Sequence, residues 1–309
     1  MADFGVPTAR PPQRVDELID GALMSRLDAM DVTSRRIFAG KLQGERRSKK
    51  RGQSVEFADY RQYAHGDDLR FIDWNVYARL DKLFLKMFLE EEDLSLVVAI
   101  DCTASMDFGN PSKFEYARRL AMALGYVGLI NQNRVTLYGW DESGVRPLTG
   151  LRGRRRTREM GEWLLGLAPR GRGDFTQAMK TIALARQGRG VLCVLSDFLL
   201  KEGYEDGIRY LAGGGYDTFC LQLLSPEELD PGRHGLAGDL RLTDVEDDDA
   251  AEVTVSAALL ERYRRNLEEH CDRLREFCIR RDVMHVRIDT ATPVESVLID
   301  GLRKQGLLR

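Results

Sequence analysis

The sequence predicts a doubly wound, mostly parallel α/β sheet carrying an N-terminal extension, and three observations carry that expectation. From residue 94 onward, short apolar runs alternate with amphipathic stretches of helical period, the pattern of a parallel sheet covered by helices. Residues 94–100 and 191–195 are apolar without alternation, as strands buried on both faces are. The 309 residues, 43% hydrophobic and 31% charged, supply ample core for a globular chain of this size.

Taken in order, residues 1–12 hold Gly5, Pro7, Pro11 and Pro12 and read as a loose tail. Val15, Leu18, Ile19, Leu23, Leu27 and Met30 recur at helical spacing, so residues 14–31 are expected to be one helix. Residues 35–51 are dominated by Arg and Lys and read as an exposed basic loop. Residues 54–75 mix aromatic, acidic and arginine side chains with neither period, which suggests a compact irregular module tied by ion pairs. Residues 83–88 form a strand in this reading, placed as an added edge of the main sheet.

The α/β part then runs strand 94–100, helix 112–131, strand 134–140 and a short edge strand at 145–148. Helices 156–167 and 175–187, strand 191–195, helix 204–213 and strand 217–224 follow. A hairpin at 239–255, a long amphipathic helix at 257–280, strand 283–288 and helix 293–305 complete it. The expected division is residues 1–90 as an extension packed on the core and residues 91–309 as the main domain.

Charge and composition exclude several classes. The formal net charge is −3, so the chain as a whole is no polyanion binder. No stretch approaches the roughly 20 apolar residues of a bilayer span, and residues 1–18 lack the apolar run of a signal peptide. Five cysteines (Cys102, Cys193, Cys220, Cys271 and Cys278) form no C-x-x-C pair and sit largely in apolar runs. Buried thiols in a reducing compartment account for them, and a cytoplasmic, membrane-free protein is expected.

Open α/β sheets bind ligands beyond the carboxyl ends of their strands. Two such ends carry acid here: Asp101-Cys-Thr103-Ala-Ser105 after the first strand, and Ser196-Asp197 after strand 191–195. Hydroxyls at alternate positions after a carboxylate can offer several hard oxygens to one small ion such as Mg²⁺ or Mn²⁺. Either Asp taken alone reads as a cap or a loop hydrogen-bonding group. Both at strand ends favour a site.

Asp101-x-Thr103-x-Ser105 resembles the metal-ion-dependent adhesion motif of von Willebrand factor A domains. Glu56-Phe-Ala-Asp-Tyr-Arg-x-Tyr, Gly66-Asp-Asp-Leu-Arg, Ile72-Asp-Trp-Asn, Ala78-Arg-Leu and Glu91-Glu resemble an uncharacterised bacterial family with a von Willebrand factor A-like core. So do Asp289-Thr and the closing Leu302-Arg-x-x-Gly-Leu-Leu. Members of that family are usually encoded beside MoxR-type AAA+ ATPases. The resemblance implies that Asp101, Thr103, Ser105 and Asp197 hold an ion. It also implies a non-enzymatic, metal-dependent adaptor or co-chaperone, with a MoxR-type ATPase and other von Willebrand factor A-type proteins as partners in complex assembly or remodelling. The chain departs from the motif at one place. Gly173 stands where a ligating Thr is expected, leaving Asp174 or Thr176 as substitutes.

Other readings compete. A metal-dependent hydrolase would use Asp101, Asp197 and Asp174, yet Ser105 has no evident histidine and the chain has only four. Arg152, Arg154, Arg155, Arg156 and Arg158 would suit nucleic acid, but no aromatic side chains accompany them for stacking, so no nucleic-acid partner is expected. Asp67, Asp68, Arg70, Asp73 and Trp74 are a further candidate surface for a protein partner. The glycine-rich segments hold neither a phosphate-loop lysine nor G-x-G-x-x-G.

Overall fold

The computed structural model describes residues 12–34, 56–65, 67–89, 94–185, 188–234, 238–243 and 250–309. The basic segment 35–51 and Glu91 lie outside the described residues. Two compact units are present, one built from Met1–Ala39 with Leu94–Arg309 and the other from Gly40–Asp93.

Instead of one helix over 14–31, two short ones form: α1 (Val15–Leu18) and α2 (Gly21–Leu27). The interruption has a local cause. The Asp20 carboxylate accepts the amide hydrogen of Leu23, so an N-cap falls in the middle of the apolar pattern. Leu18, Ile19, Leu27, Met30 and Val32 are nonetheless buried in the main core. Residues 31–33 then bond residues 307–309 through Thr33 N–H to Leu307 O (2.9 Å) and Arg309 N–H to Asp31 O (3.0 Å).

In the smaller unit, β1 (Glu56–Gln62) pairs antiparallel with β2 (Phe84–Leu89), and α3 (Trp74–Leu80) lies between them in sequence. Strand 84–89 therefore closes a two-stranded sheet and is no edge of the main one. Ion pairs and caps tie this unit as its composition suggested. Arg61 meets Asp67 at 2.5 Å, Arg70 meets Asp68 at 2.6 Å, and Asp73 caps α3 while accepting from the Tyr60 hydroxyl at 2.9 Å.

The main sheet has six strands in the order β10-β7-β6-β3-β4-β5. They are β3 (Ser95–Asp101), β4 (Arg134–Asp141), β5 (Gly144–Leu151), β6 (Gly190–Ser196), β7 (Asp217–Leu224) and β10 (Met284–Asp289). All neighbours are parallel except β4 and β5, which form a hairpin. The helices are α4 (Lys113–Ile130), α5 (Thr157–Leu165), α6 (Phe175–Leu184), α7 (Glu205–Gly213), α8 (Pro226–Leu229) and α9 (Ala257–Ile279). A separate hairpin, β8 (Gly238–Thr243) with β9 (Ala250–Val255), precedes α9.

Every residue of β3, β6 and β7 is buried. Period-2 alternation divides β3 between two cores: Leu96, Val98 and Ile100 pack with α4 and α5, and Val97 and Ala99 pack with α6, α7 and α9. Both faces being covered explains why residues 96–100 and 191–195 read as unbroken apolar runs.

The chain leaves β3 towards β4 and later returns to lay β6 on the other side of β3. The crevice of the fold thus opens between the carboxyl ends of β3 and β6, where Asp101 and Asp197 stand. At their opposite ends these strands nearly touch. A Cβ built on Gly190 would lie 1.8 Å from the Ser95 backbone oxygen, an atom that cannot swing aside. Gly190→Ala is expected to lower stability by about 3 kcal/mol, measured as a shift in chemical-denaturation midpoint; an unchanged midpoint would mean that the strands are not packed this tightly.

Candidate functional site

Asp101 ends β3 with no solvent exposure. One carboxylate oxygen accepts from the Thr103 amide (3.0 Å) and hydroxyl (2.8 Å), and the other accepts from Ser196 (2.6 Å). The hydroxyls of Thr103 and Ser105 lie 3.0 Å apart. The three residues of the Asp-x-Thr-x-Ser motif are thus gathered in one loop. Arg170 N–H to Cys102 O (2.8 Å) and Ala104 N–H to Gly171 O (2.9 Å) clip that loop to residues 170–173.

Asp197 arrives from β6. One of its oxygens accepts from the Leu199 amide at 2.9 Å. The other meets the ammonium of Lys113 at 2.6 Å. That ammonium also contacts a carboxylate oxygen of Glu228 at 2.5 Å, and Lys113 is only 1% exposed. Glu228 is itself held by a capping box: its second oxygen accepts the Ser225 amide at 2.8 Å at the start of α8. Behind the crevice, Gln222 donates to the Asp197 backbone oxygen (3.0 Å), and a ring nitrogen of His270 lies 2.9 Å from that of Phe198. Phe198 takes φ = 56°, left-handed and uncommon for a bulky side chain, and is kept there by burial and an edge-on contact with Phe175.

The electrostatics follow from burial. Desolvation, helped by the neighbouring Asp197 charge, pushes the Asp101 carboxyl up to about 7 against the hydrogen bonds it receives. Burial works to lower the Lys113 pKa, but Asp197 and Glu228 outweigh it and hold the side chain above the ordinary lysine value, as a cation. Glu228 goes up, because burial outweighs its attraction to Lys113.

The remaining sequence candidates fall elsewhere. Asp174 is exposed and caps α6, its carboxylate accepting from the Gln177 amide at 2.8 Å. Thr176 is half-buried in the first turn of that helix. Asp67, Asp68 and Asp73 are engaged within the smaller unit, where Trp74 is 61% exposed. In the arginine run, Arg154 stacks over Tyr126 and pairs with Asp28, Arg156 pairs with Glu159, and Arg158 with Glu162. Much of its charge is answered locally. All five cysteines are free and buried, and burial raises the Cys102 thiol far above its usual range, which removes it as a nucleophile.

A divalent ion does not fit the residues present. Gly173 brings no side-chain oxygen to the loop, and a Cβ there would lie 2.9 Å from the Thr103 methyl and 3.1 Å from the Trp140 ring. The second carboxylate is already engaged by Lys113.

Lys113 and Glu228 escaped the sequence reading, although Lys113 left one signal. It opens α4 directly after the Ser112 cap, where the helix dipole disfavours a cation, so acid must compensate it from elsewhere.

The structure is a doubly wound α/β domain with an Asp-x-Thr-x-Ser loop at its switch point. The chain belongs to the family described as Protein of unknown function DUF58, which it matches over residues 59–273. It is 24% identical over 266 residues to "Uncharacterized protein Rv1480" of Mycobacterium tuberculosis, a match spanning 84% of this chain and 83% of that one. Among solved structures it is similar to an aerotolerance-related membrane protein from Bacteroides fragilis (14% identity, 68% of this chain and 99% of that one, TM-score 0.40). It is also similar to the SpRpn10 VWA domain (15% identity, 67% of this chain and 94% of that one, TM-score 0.39). Among the described residues no helix is long and apolar enough to cross a membrane.

Two outcomes are expected. Lys113→Met strands two buried carboxylates and should lower stability by about 3–5 kcal/mol in equilibrium denaturation; a loss near zero would mean that the pair is not desolvated. Asp101, pushed up to about 7 from an ordinary 3.8, disfavours the folded state progressively as pH rises between those values, fully above the upper one and not at all below the lower. Asp101→Asn should therefore gain melting temperature relative to wild type between about pH 4 and about pH 8; a pH-independent difference would show that Asp101 titrates normally.

Proposed function

We propose that the loops at the carboxyl edge of the sheet form a protein-recognition surface and that the chain acts as an adaptor for a MoxR-type AAA+ ATPase. One observation carries the reading: two exposed apolar side chains flank the buried ion pair. Phe108, 47% exposed, has its ring 5.9 Å from the Lys113 ammonium, and Leu199, 40% exposed, follows Asp197, which its amide binds. Exposed apolar groups on a rigidly braced loop cluster are what a protein interface uses as anchors. Arg172 and Glu202, paired at 3.0 Å on the same loops, would supply polar edge contacts. The choice of a MoxR-type ATPase comes from the family resemblance, and the client would be a protein complex under assembly.

Phe108→Asp combined with Leu199→Asp should weaken binding to the MoxR-type ATPase of the same organism by at least about tenfold, read by biolayer interferometry with the melting temperature monitored in parallel. Undiminished affinity in the folded double variant would place the contact elsewhere.

A further inference from the structure

The motif loop and the cation beside it disagree about what the site holds. Thr103, Ser105 and Asp101 are gathered in one loop, where the resemblance implies an ion, yet the positive charge at Asp197 comes from this chain's own Lys113. We propose that the Lys113 ammonium is the resident cation of this acidic loop cluster and keeps a divalent ion out of it. Three observations support this, and none depends on the partner's identity.

The ammonium is out of water, with Lys113 and Asp197 side chains each 2% exposed and Glu228 at 11%. A lysine that merely snorkelled would keep its charged end wet. It opens α4 and ties together three separate elements: the end of β6, the start of α4 and the cap of α8. An ion seeking Asp197 would meet a carboxylate whose two oxygens are already taken, one by the Lys113 ammonium and the other by the Leu199 amide. Gly173 completes the case. The loop oxygen that would help fix an ion is missing, and the Thr103 methyl and the Trp140 ring crowd the place where its Cβ would stand. Lys113 and Gly173 are far apart in sequence, and both disfavour a divalent ion.

The test separates the ammonium from the missing oxygen by titrating Mn²⁺ into the full-length protein, read by calorimetry and by the loss of free-Mn²⁺ paramagnetic resonance signal. Four proteins are compared: wild type, Lys113→Met, the loop-restored double variant Thr103→Ser with Gly173→Thr, and the triple combination. Thr103→Ser removes the methyl that a side chain at 173 would strike. Wild type and the double variant, which keep the lysine, should show no saturable binding. The triple variant should bind one Mn²⁺ saturably, with an affinity at least about tenfold above the weakest that the titration registers, and lose it when Asp101→Asn is added. Lys113→Gln replaces Lys113→Met if the methionine variant does not fold, since its amide can still donate to Asp197. Saturable Mn²⁺ binding while Lys113 is present would overturn the inference. So would an absence of binding in a folded triple variant, because the lysine would then not be what excludes the ion.

Discussion

An ammonium withdrawn from water between two carboxylates is a demanding interaction, and the site is organised around satisfying it. Desolvating three charges costs several kcal/mol each unless geometry and further hydrogen bonds repay it. Here every partner is fixed from outside. Asp197 is held by the Leu199 amide, Glu228 by its capping box on Ser225, and Lys113 by the first turn of a helix buried along almost its whole length. Moving any one of the three would leave a bare charge in the interior. The end of β6, the start of α4 and the cap of α8 are consequently locked together, as the proposed recognition surface requires.

The crevice itself is a product of strand order. Because β3 connects to β4 on one side and receives β6 on the other, the loops after β3 and β6 diverge and leave their polar ends facing each other. Asp101 sits at the bottom with its oxygens fully engaged by Thr103 and Ser196, so it acts as a hub for hydrogen bonds. Asp141, at the end of β4, does the same for the adjoining hairpin through Ser143 and Arg146. At the rim Phe108 and Leu199 stand exposed near the Arg172–Glu202 pair, while Lys113 and Asp197 are consumed within.

Much of the fold was legible because burial on both faces writes itself into composition. The strands at 95–101 and 190–196 appear as apolar runs, and the sites at Asp101 and Ser196-Asp197 follow from where those runs end. Local competition was harder to see. The 14–31 pattern is apolar at helical spacing, but Asp20 capping a new helix at Gly21 splits it. Strand 84–89 pairs with 56–62 because two-sided apolarity does not name a partner. The lysine at 113 and the glutamate at 228 are 115 positions apart, so only the misfit of a cation at a helix start hinted that an acid waited for it.

The measurement that bears most directly on the account is a crystal structure of the unaltered protein grown with Mn²⁺ and recorded at the manganese absorption edge. The account predicts the Lys113 ammonium within hydrogen-bonding distance of Asp197 and Glu228, and no anomalous peak among Asp101, Thr103, Ser105 and Asp197. A manganese peak at that place, with the lysine side chain turned away, would contradict it.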